Sequence, residues 1–196
     1  YISFSKKLPS YHWLEKHTPD LLEYSLILQL WWQRVSLSKA LKQTQCDILF
    51  TVDSSTVCRF KPMVVLNQDL LSYDPENIRK YRMGYDYLRI IALRYIQKVA
   101  FNHAVGVIFL TKYAAEIIQK QSGKIINIKI IPHGVDDMFK RIKHNIQWPE
   151  QGERSIRCLY ISNALPYKNI EKFIRAIEII RGSYIDVVLE LVGGGW

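Results

Sequence analysis

Cysteine is scarce. Cys46, Cys58 and Cys158 are the only three, an odd number at scattered spacing. Such a set does not read as a disulfide framework or a zinc centre, and the plainer expectation is reduced packing cysteines in a cytosolic protein. Long apolar runs are missing as well. The longest, "LLEYSLILQLWW" at 21–32, is broken by Glu23 and Gln29. It falls short of the roughly 20 apolar residues that a bilayer crossing needs. The chain does not open on a basic segment followed by an apolar run and a small-residue cleavage site. His12, His17, His103 and His144 show no metal-ligand spacing and read as structural or surface side chains, so no metal is expected. There is no internal repeat and no low-complexity tract.

What remains is ordinary for a globular protein: 196 residues, 48% hydrophobic and 23% charged. The length allows one large domain, or one domain and part of another. A net charge of +9 implies attraction to anions. Nucleic acid, an acidic membrane surface and substrate phosphates are the candidates. The basic residues are dispersed and form no DNA- or RNA-binding motif, so nucleic acid is not expected as a partner. The chain opens on "YISFSKKLPS" and closes on "LELVGGGW" directly after an apolar run, and it is expected to be a fragment of a longer protein.

Periodicity orders the elements. From Pro19-Asp20 to about Lys42, Leu22, Leu26, Leu30, Arg34, Leu37 and Leu41 recur at helical spacing. "DILFTV" (47–52) and "PMVVLN" (62–67) read as buried strands, the second with Pro62 where a missing N–H does least harm. Asp74 before Pro75 and Glu76 signals a helix start. The helical pattern then runs to His103, with a break near Met83-Gly84. Its apolar face is expected at Leu88, Ile91, Tyr95 and Val99, with Arg89 and Lys98 off that face. "AVGVIFLT" (104–111) is a strand, Thr111 caps a helix to Gln121, and Gly123 ends it. "INIKII" (126–131) is the next strand. The polar stretch 140–154 reads as a linker. Beyond it come a strand at 156–162, a helix at 169–181 and a strand at 186–193. Alternating strands and helices predict parallel sheets and an α/β class.

The order of "VIFLTKYAAEII", "IKIIPHGVDDMF", a polar linker, "RCLYISNALPYKNIEKFIRAIEII" and "LELVGGG" resembles glycosyltransferase family 4, retaining enzymes of GT-B fold. The match covers about residues 60–196, and the region 67–112 looks like a subgroup acting in surface-polysaccharide assembly. The resemblance implies two Rossmann-like domains: an acceptor-side domain at 1–139, incomplete at its start, a linker at 140–154, and the start of a donor-binding domain at 155–196. It also implies transfer of a sugar, with retention, from a UDP- or GDP-linked nucleotide sugar to a saccharide or lipid-linked acceptor. No cofactor is required beyond that substrate, and the location is cytoplasmic, with peripheral contact at the inner face of a membrane.

The same resemblance assigns the site. Lys168 takes the place of the lysine that contacts the donor diphosphate. Charge develops on the leaving diphosphate, and a fixed ammonium stabilises it. Lys168 also precedes a helix N-terminus, whose free N–H groups suit phosphate. A solvated lysine is the ordinary alternative. Ser162 and Asn163 stand where many members have Gly-Arg, so donor binding here rests on fewer charges. Asn67 and Gln68, at the carboxyl end of a strand, are candidate substrate contacts in a place where relatives often have histidine. They can hydrogen-bond hydroxyls but cannot serve as a base at neutral pH. No catalytic residue can be named.

In "IKIIPHGVDDMF", Pro132 ends the ladder, Gly134 is expected to adopt a backbone conformation that a Cβ would penalise, and the segment leads to the cleft and hinge. His133 replaces the usual asparagine and is given no catalytic role. Asp136 or Asp137 is expected to fix the turn through nearby backbone N–H groups. Gly193, Gly194 and Gly195 follow a strand with no helix behind them, which is weak as a phosphate motif. The Gly-rich first loop and the pair of donor-binding glutamates that the family requires are not within the chain, and the fragment itself is expected to be inactive. The basic stretch from Arg79 to Lys98 reads as a solvated helix face, or as one lying against anionic headgroups. A non-catalytic Rossmann-like binding or scaffold protein is the alternative to the enzyme.

Overall fold

A computed structural model describes residues 8–81, 84–141, 155–183 and 186–194. The chain falls into two compact units: 1–73 with 88–132, and 74–87 with 133–196. The break therefore comes at Pro132/His133 rather than at 139/140, and the short segment 74–87 joins the second unit. The linker expected at 140–154 lies outside the described residues from 142 on, as do Met83 at the expected helix break and Gly195.

The first unit opens with a 3-10 turn at Asp20–Glu23 and then helix α1 at Leu26–Trp31. A π-helical piece, Trp32–Leu37, connects α1 to α2 at Ser38–Gln43. One continuous helix from Pro19 was expected. Ser25 instead takes an extended conformation and its hydroxyl accepts from the Leu28 N–H, so the helix starts there. None of Leu26–Gln43 is buried.

Strands β1 (Leu49–Thr51), β2 (Met63–Asn67), β3 (Gly106–Phe109) and β4 (Ile128–Ile130) pair in that order, all parallel. The strands fall where the apolar runs placed them. The mixed α/β class holds, and a four-stranded parallel sheet is compatible with a Rossmann-like fold. Register sets Val65 beside Val107 and Val107 beside Ile128. Met63, Val65, Val107 and Phe109 are fully buried, and Tyr73, Phe101 and Ile118 close over them. The Phe101 ring lies 6.0 Å from Phe109 and 6.4 Å from Tyr73. Each such side chain contributes about 1.5–3 kcal/mol through burial.

Helix α3 (Pro75–Arg79), in the second unit, is capped as expected, with the Asp74 carboxylate accepting from Glu76 N at 3.0 Å. Helix α4 (Tyr85–His103) follows, and its expected apolar face is turned the other way. Leu88 and Tyr95 are 67% and 69% exposed, whereas Ile90, Gln97, Ala100 and Phe101 are buried. The physical reason is a polar network that apolar periodicity does not register. The Gln97 amide donates to Ser54 Oγ at 3.1 Å and accepts from the Ser72 hydroxyl, while Arg94 Nε donates to Ser72 O at 2.6 Å. Satisfied polar groups can be buried, so the inward face contains them. Helix α5 (Lys112–Ser122) matches expectation: Thr111 Oγ1 accepts from Ala114 N at 3.1 Å, and Gly123 ends the helix at φ +88°.

In the second unit, helix α6 (Asp137–Arg141) begins where Asp136 Oδ1 accepts from Met138 N at 2.8 Å, so Asp136 fixes this turn. Strands β5 (Ile156–Ile161) and β6 (Val187–Val192) pair in parallel, joined by helix α7 (Ile170–Gly182). Helix α7 packs on one sheet face through Tyr160 and Phe173, whose rings stack at 4.7 Å. The other face carries Leu159 and Ile161, both largely exposed, and an Arg157–Glu190 ion pair.

Candidate functional site

The carboxyl end of β5 leads into Ser162, Asn163 and a loop that tightens into a 3-10 turn at Pro166–Lys168. Lys168 N donates to Leu165 O at 2.9 Å, and Tyr160 Oη donates to Lys168 O at 3.2 Å. Asn169 then takes a left-handed conformation, φ 55° and ψ 33°. Asparagine tolerates this backbone better than most residues. In that pose its side chain does not cap α7, so the first amides of the helix have no side-chain acceptor from it.

A cavity of about 640 Å³ opens here. Ala164, Leu165, Pro166 and Ile170 supply its apolar wall, and Lys80, Asn169, Glu171 and Lys172 its polar one. Lys80 comes from far away in sequence. Its amine donates to Asn169 Oδ1 at 2.7 Å and to Asn77 Oδ1 at 3.0 Å. Both acceptors are neutral, so these bonds hold the amine without cancelling its charge. Two amines, one carboxylate and a helix start favour an anion such as a phosphate.

Lys168, Ser162 and Asn163, the donor-side residues expected from sequence, do not line this cavity. Lys168 is exposed, and its amine lies 5.1 Å above the ring of Tyr167. Ser162 and Asn163 do not line the cavity: Ser162 N donates to Val192 O at 2.9 Å and its hydroxyl to Asn163 O at 3.2 Å. Lys80 and Lys172 were not anticipated. Lys172 belongs to the amphipathic helix pattern, where a lysine reads as solvated, and nothing in the sequence ties Lys80 to a site 89 residues away.

Glycine at 193 has a steric reason. A Cβ there would sit 1.6 Å from Ser162 O, at a φ of +156°. Its lack of a side chain lets the two strand ends meet, a structural role. Gly134 is a correction. It has no positive φ, and a Cβ there would meet nothing within 4 Å, so no conformational demand for glycine exists at that position.

In the first unit, Asn67 ends β2 and is only 2% exposed, with its Nδ2 donating to Asp69 O at 3.0 Å. Its Oδ1 is buried without a partner among the described residues. Asp69 Oδ1 in turn accepts from Leu71 N at 2.8 Å. Asn67 thus holds the turn, and Gln68 beside it is the one exposed to solute. A larger cavity, about 830 Å³, lies between the 12–19 segment and the first helices, and its lining includes His12, Trp13, Glu15, His17, Trp32 and Lys39. None of the sequence motifs falls there. Among the described residues no group of three His, Cys, Asp or Glu could hold a metal, and no helix is long and apolar enough to cross a membrane.

No protein-family model and no curated protein matches the chain.

Proposed function

We propose that the chain is the acceptor-side region and the start of the donor-binding region of a retaining GT-B glycosyltransferase. It transfers a sugar from a UDP- or GDP-linked donor to a saccharide or lipid-linked acceptor, in surface polysaccharide or lipopolysaccharide synthesis. Cytoplasmic placement, with peripheral contact at the inner membrane face, belongs to the same reading. The observation that carries it is the basic cavity at the Lys168-Asn169 turn, in a chain whose segments follow the family's order. Lys80, in the cavity wall, and Lys168, on the adjoining turn where the resemblance assigns the diphosphate contact, supply the ammonium groups that stabilise a departing diphosphate, and the helix start adds amide donors. The test is calorimetric titration of the full-length protein with UDP and GDP. One of them binds, and Lys80→Ala and Lys168→Ala each weaken binding about tenfold or more, as expected for a hydrogen bond to a charged group. Absence of binding by either nucleotide overturns the proposal.

A non-catalytic binding protein is the second reading. The Ser162 hydroxyl donates to the neighbouring Asn163 O and the residue does not line the cavity, which favours it. Hydrolysis assays across several nucleotide sugars separate the two: slow donor hydrolysis supports the enzyme, and binding without turnover supports the alternative.

A further inference from the structure

We infer that the cavity between the 12–19 segment and the first helices is a non-catalytic binding site for an uncharged oligosaccharide. This inference does not rest on the glycosyltransferase reading and concerns only the first unit. At about 830 Å³ the cavity falls within the usual range of ligand pockets, about 300–1,000 Å³, and takes a ligand of more than one ring. Thr44 and Cys46, on the loop from α2 to β1, form part of its wall. That loop enters the amino end of β1, whereas open α/β sheets keep their reaction crevice at the carboxyl ends. The cavity is therefore a place that holds a ligand, apart from any chemistry at that crevice.

Two indoles line it. Trp13 is stacked on Tyr11, with ring centres 5.1 Å apart and planes 7° apart, yet it remains 68% exposed. Lys16 braces this segment, its amine donating to Leu8 O at 2.7 Å. Trp32 comes from the π-helical piece, together with Ser36 and Leu37. Five residues along an α-helix carry a side chain about 140° round the axis. Bonding from i to i+5 brings Leu37 back towards the side of Trp32, and such segments are rare and frequent at functional sites. Indoles are flat apolar platforms for the C–H faces of a sugar.

The polar groups select the same ligand. The fixed charges on the lining are one carboxylate, Glu15, and one amine, Lys39, so neither sign of ligand is favoured. Glu15 only accepts and Lys39 only donates, whereas Ser36 and Gln43 do both. Among the described residues the Ser36 and Gln43 side chains make no hydrogen bond within the protein. An uncharged ligand with apolar ring faces and many groups that both donate and accept meets these demands, and sugar hydroxyls are such groups. A proline-rich segment matches the rings but brings no N–H to Glu15.

The experiment is calorimetric titration of the full chain, with no nucleotide present, using neutral hexasaccharides of glucose, mannose and galactose, with adenosine and decaproline as controls. At least one hexasaccharide binds with a Kd of about 1 mM or below, and both controls bind more weakly. Trp13→Ala weakens that binding about tenfold or more, and Gln43→Ala about threefold to tenfold. Trp13→Phe, which keeps a ring, loses less than Trp13→Ala. Trp31→Ala, which removes an exposed indole outside the cavity, leaves binding unchanged. Circular dichroism checks that each variant folds. With nucleotide absent, failure here leaves the donor titration standing, and the reverse holds too. Absence of binding by all three hexasaccharides overturns the inference. So does tighter binding of adenosine or decaproline. Equal losses from Trp13→Ala and Trp31→Ala would mean adhesion to exposed indoles in general, and overturn it as well.

Discussion

The two units differ in how much of their apolar sequence they bury. In the first, Met63, Val65, Tyr73, Phe101, Val107, Phe109 and Ile118 form one closed cluster. In the second, Ile78 and Val187 are the only buried apolar side chains among the described residues, and α7 buries none. Yet α7 has the plainer amphipathic pattern of the two long helices, with Ile170, Phe173, Ile174, Ile177 and Ile180 on one side. Pattern tells which side of an element is apolar. Burial also requires enough neighbouring surface, and a two-stranded sheet with one helix provides little. Stability should therefore be divided unevenly: hydrogen exchange should be slowest in β2 and β3 and fast across β5 and β6.

The sharpest way to break this contrast is at Phe101. Phe101→Ala should cost about 3–5 kcal/mol, seen as loss of exchange protection across the whole first sheet. If β5 and β6 outlast β2 and β3 in denaturant, the contrast fails. Next is Gly193→Ala, where the new methyl meets the Ser162 carbonyl. The expected cost is about 3 kcal/mol, confined to the second unit, because the strand ends must part. A thermal melt unchanged from the parent would show that the backbone shifts freely there.

The smallest effect is at Tyr73. Its hydroxyl accepts from Ser122 Oγ at 3.0 Å and donates to Arg94 O at 3.2 Å. Tyr73→Phe should cost about 1 kcal/mol in the first unit only. Burial raises its pKa above the ordinary 10.0, outweighing the hydrogen bond from Ser122 and the Arg94 charge, which act the other way. The unfolded chain releases this proton as pH passes 10.0 and the folded chain keeps it, so the contribution is fully present below that pH and lost above it. Urea titrations on either side of pH 10 should show a steeper fall for the parent than for Tyr73→Phe, and parallel curves would refute the assignment.

Local chemistry carried much of the fold. The strands were legible as apolar runs between turn signals, and Asp74, Thr111 and Asp136 do what their side chains favour at helix starts. The orientation of α4 was not legible, because Gln97 and Arg94 look like solvent-facing residues until Ser54 and Ser72 are brought to them. Part of the candidate site followed from the Lys-Asn pair, since Asn169 supplies the left-handed turn that bares the helix. Lys80 was invisible because its partner is set by tertiary folding, and Gly134 was over-read because an extended glycine looks the same in sequence as a strained one.

Gln97 has an effect beyond its own bonds. A helix packed by greasy contacts alone can roll about its axis with little penalty, since one aliphatic neighbour substitutes for another. An amide gripped from two separate loops acts as a rotational latch. It fixes the azimuth of the entire 85–103 rod, and so a single inward glutamine decides which rings the protein shows to the outside.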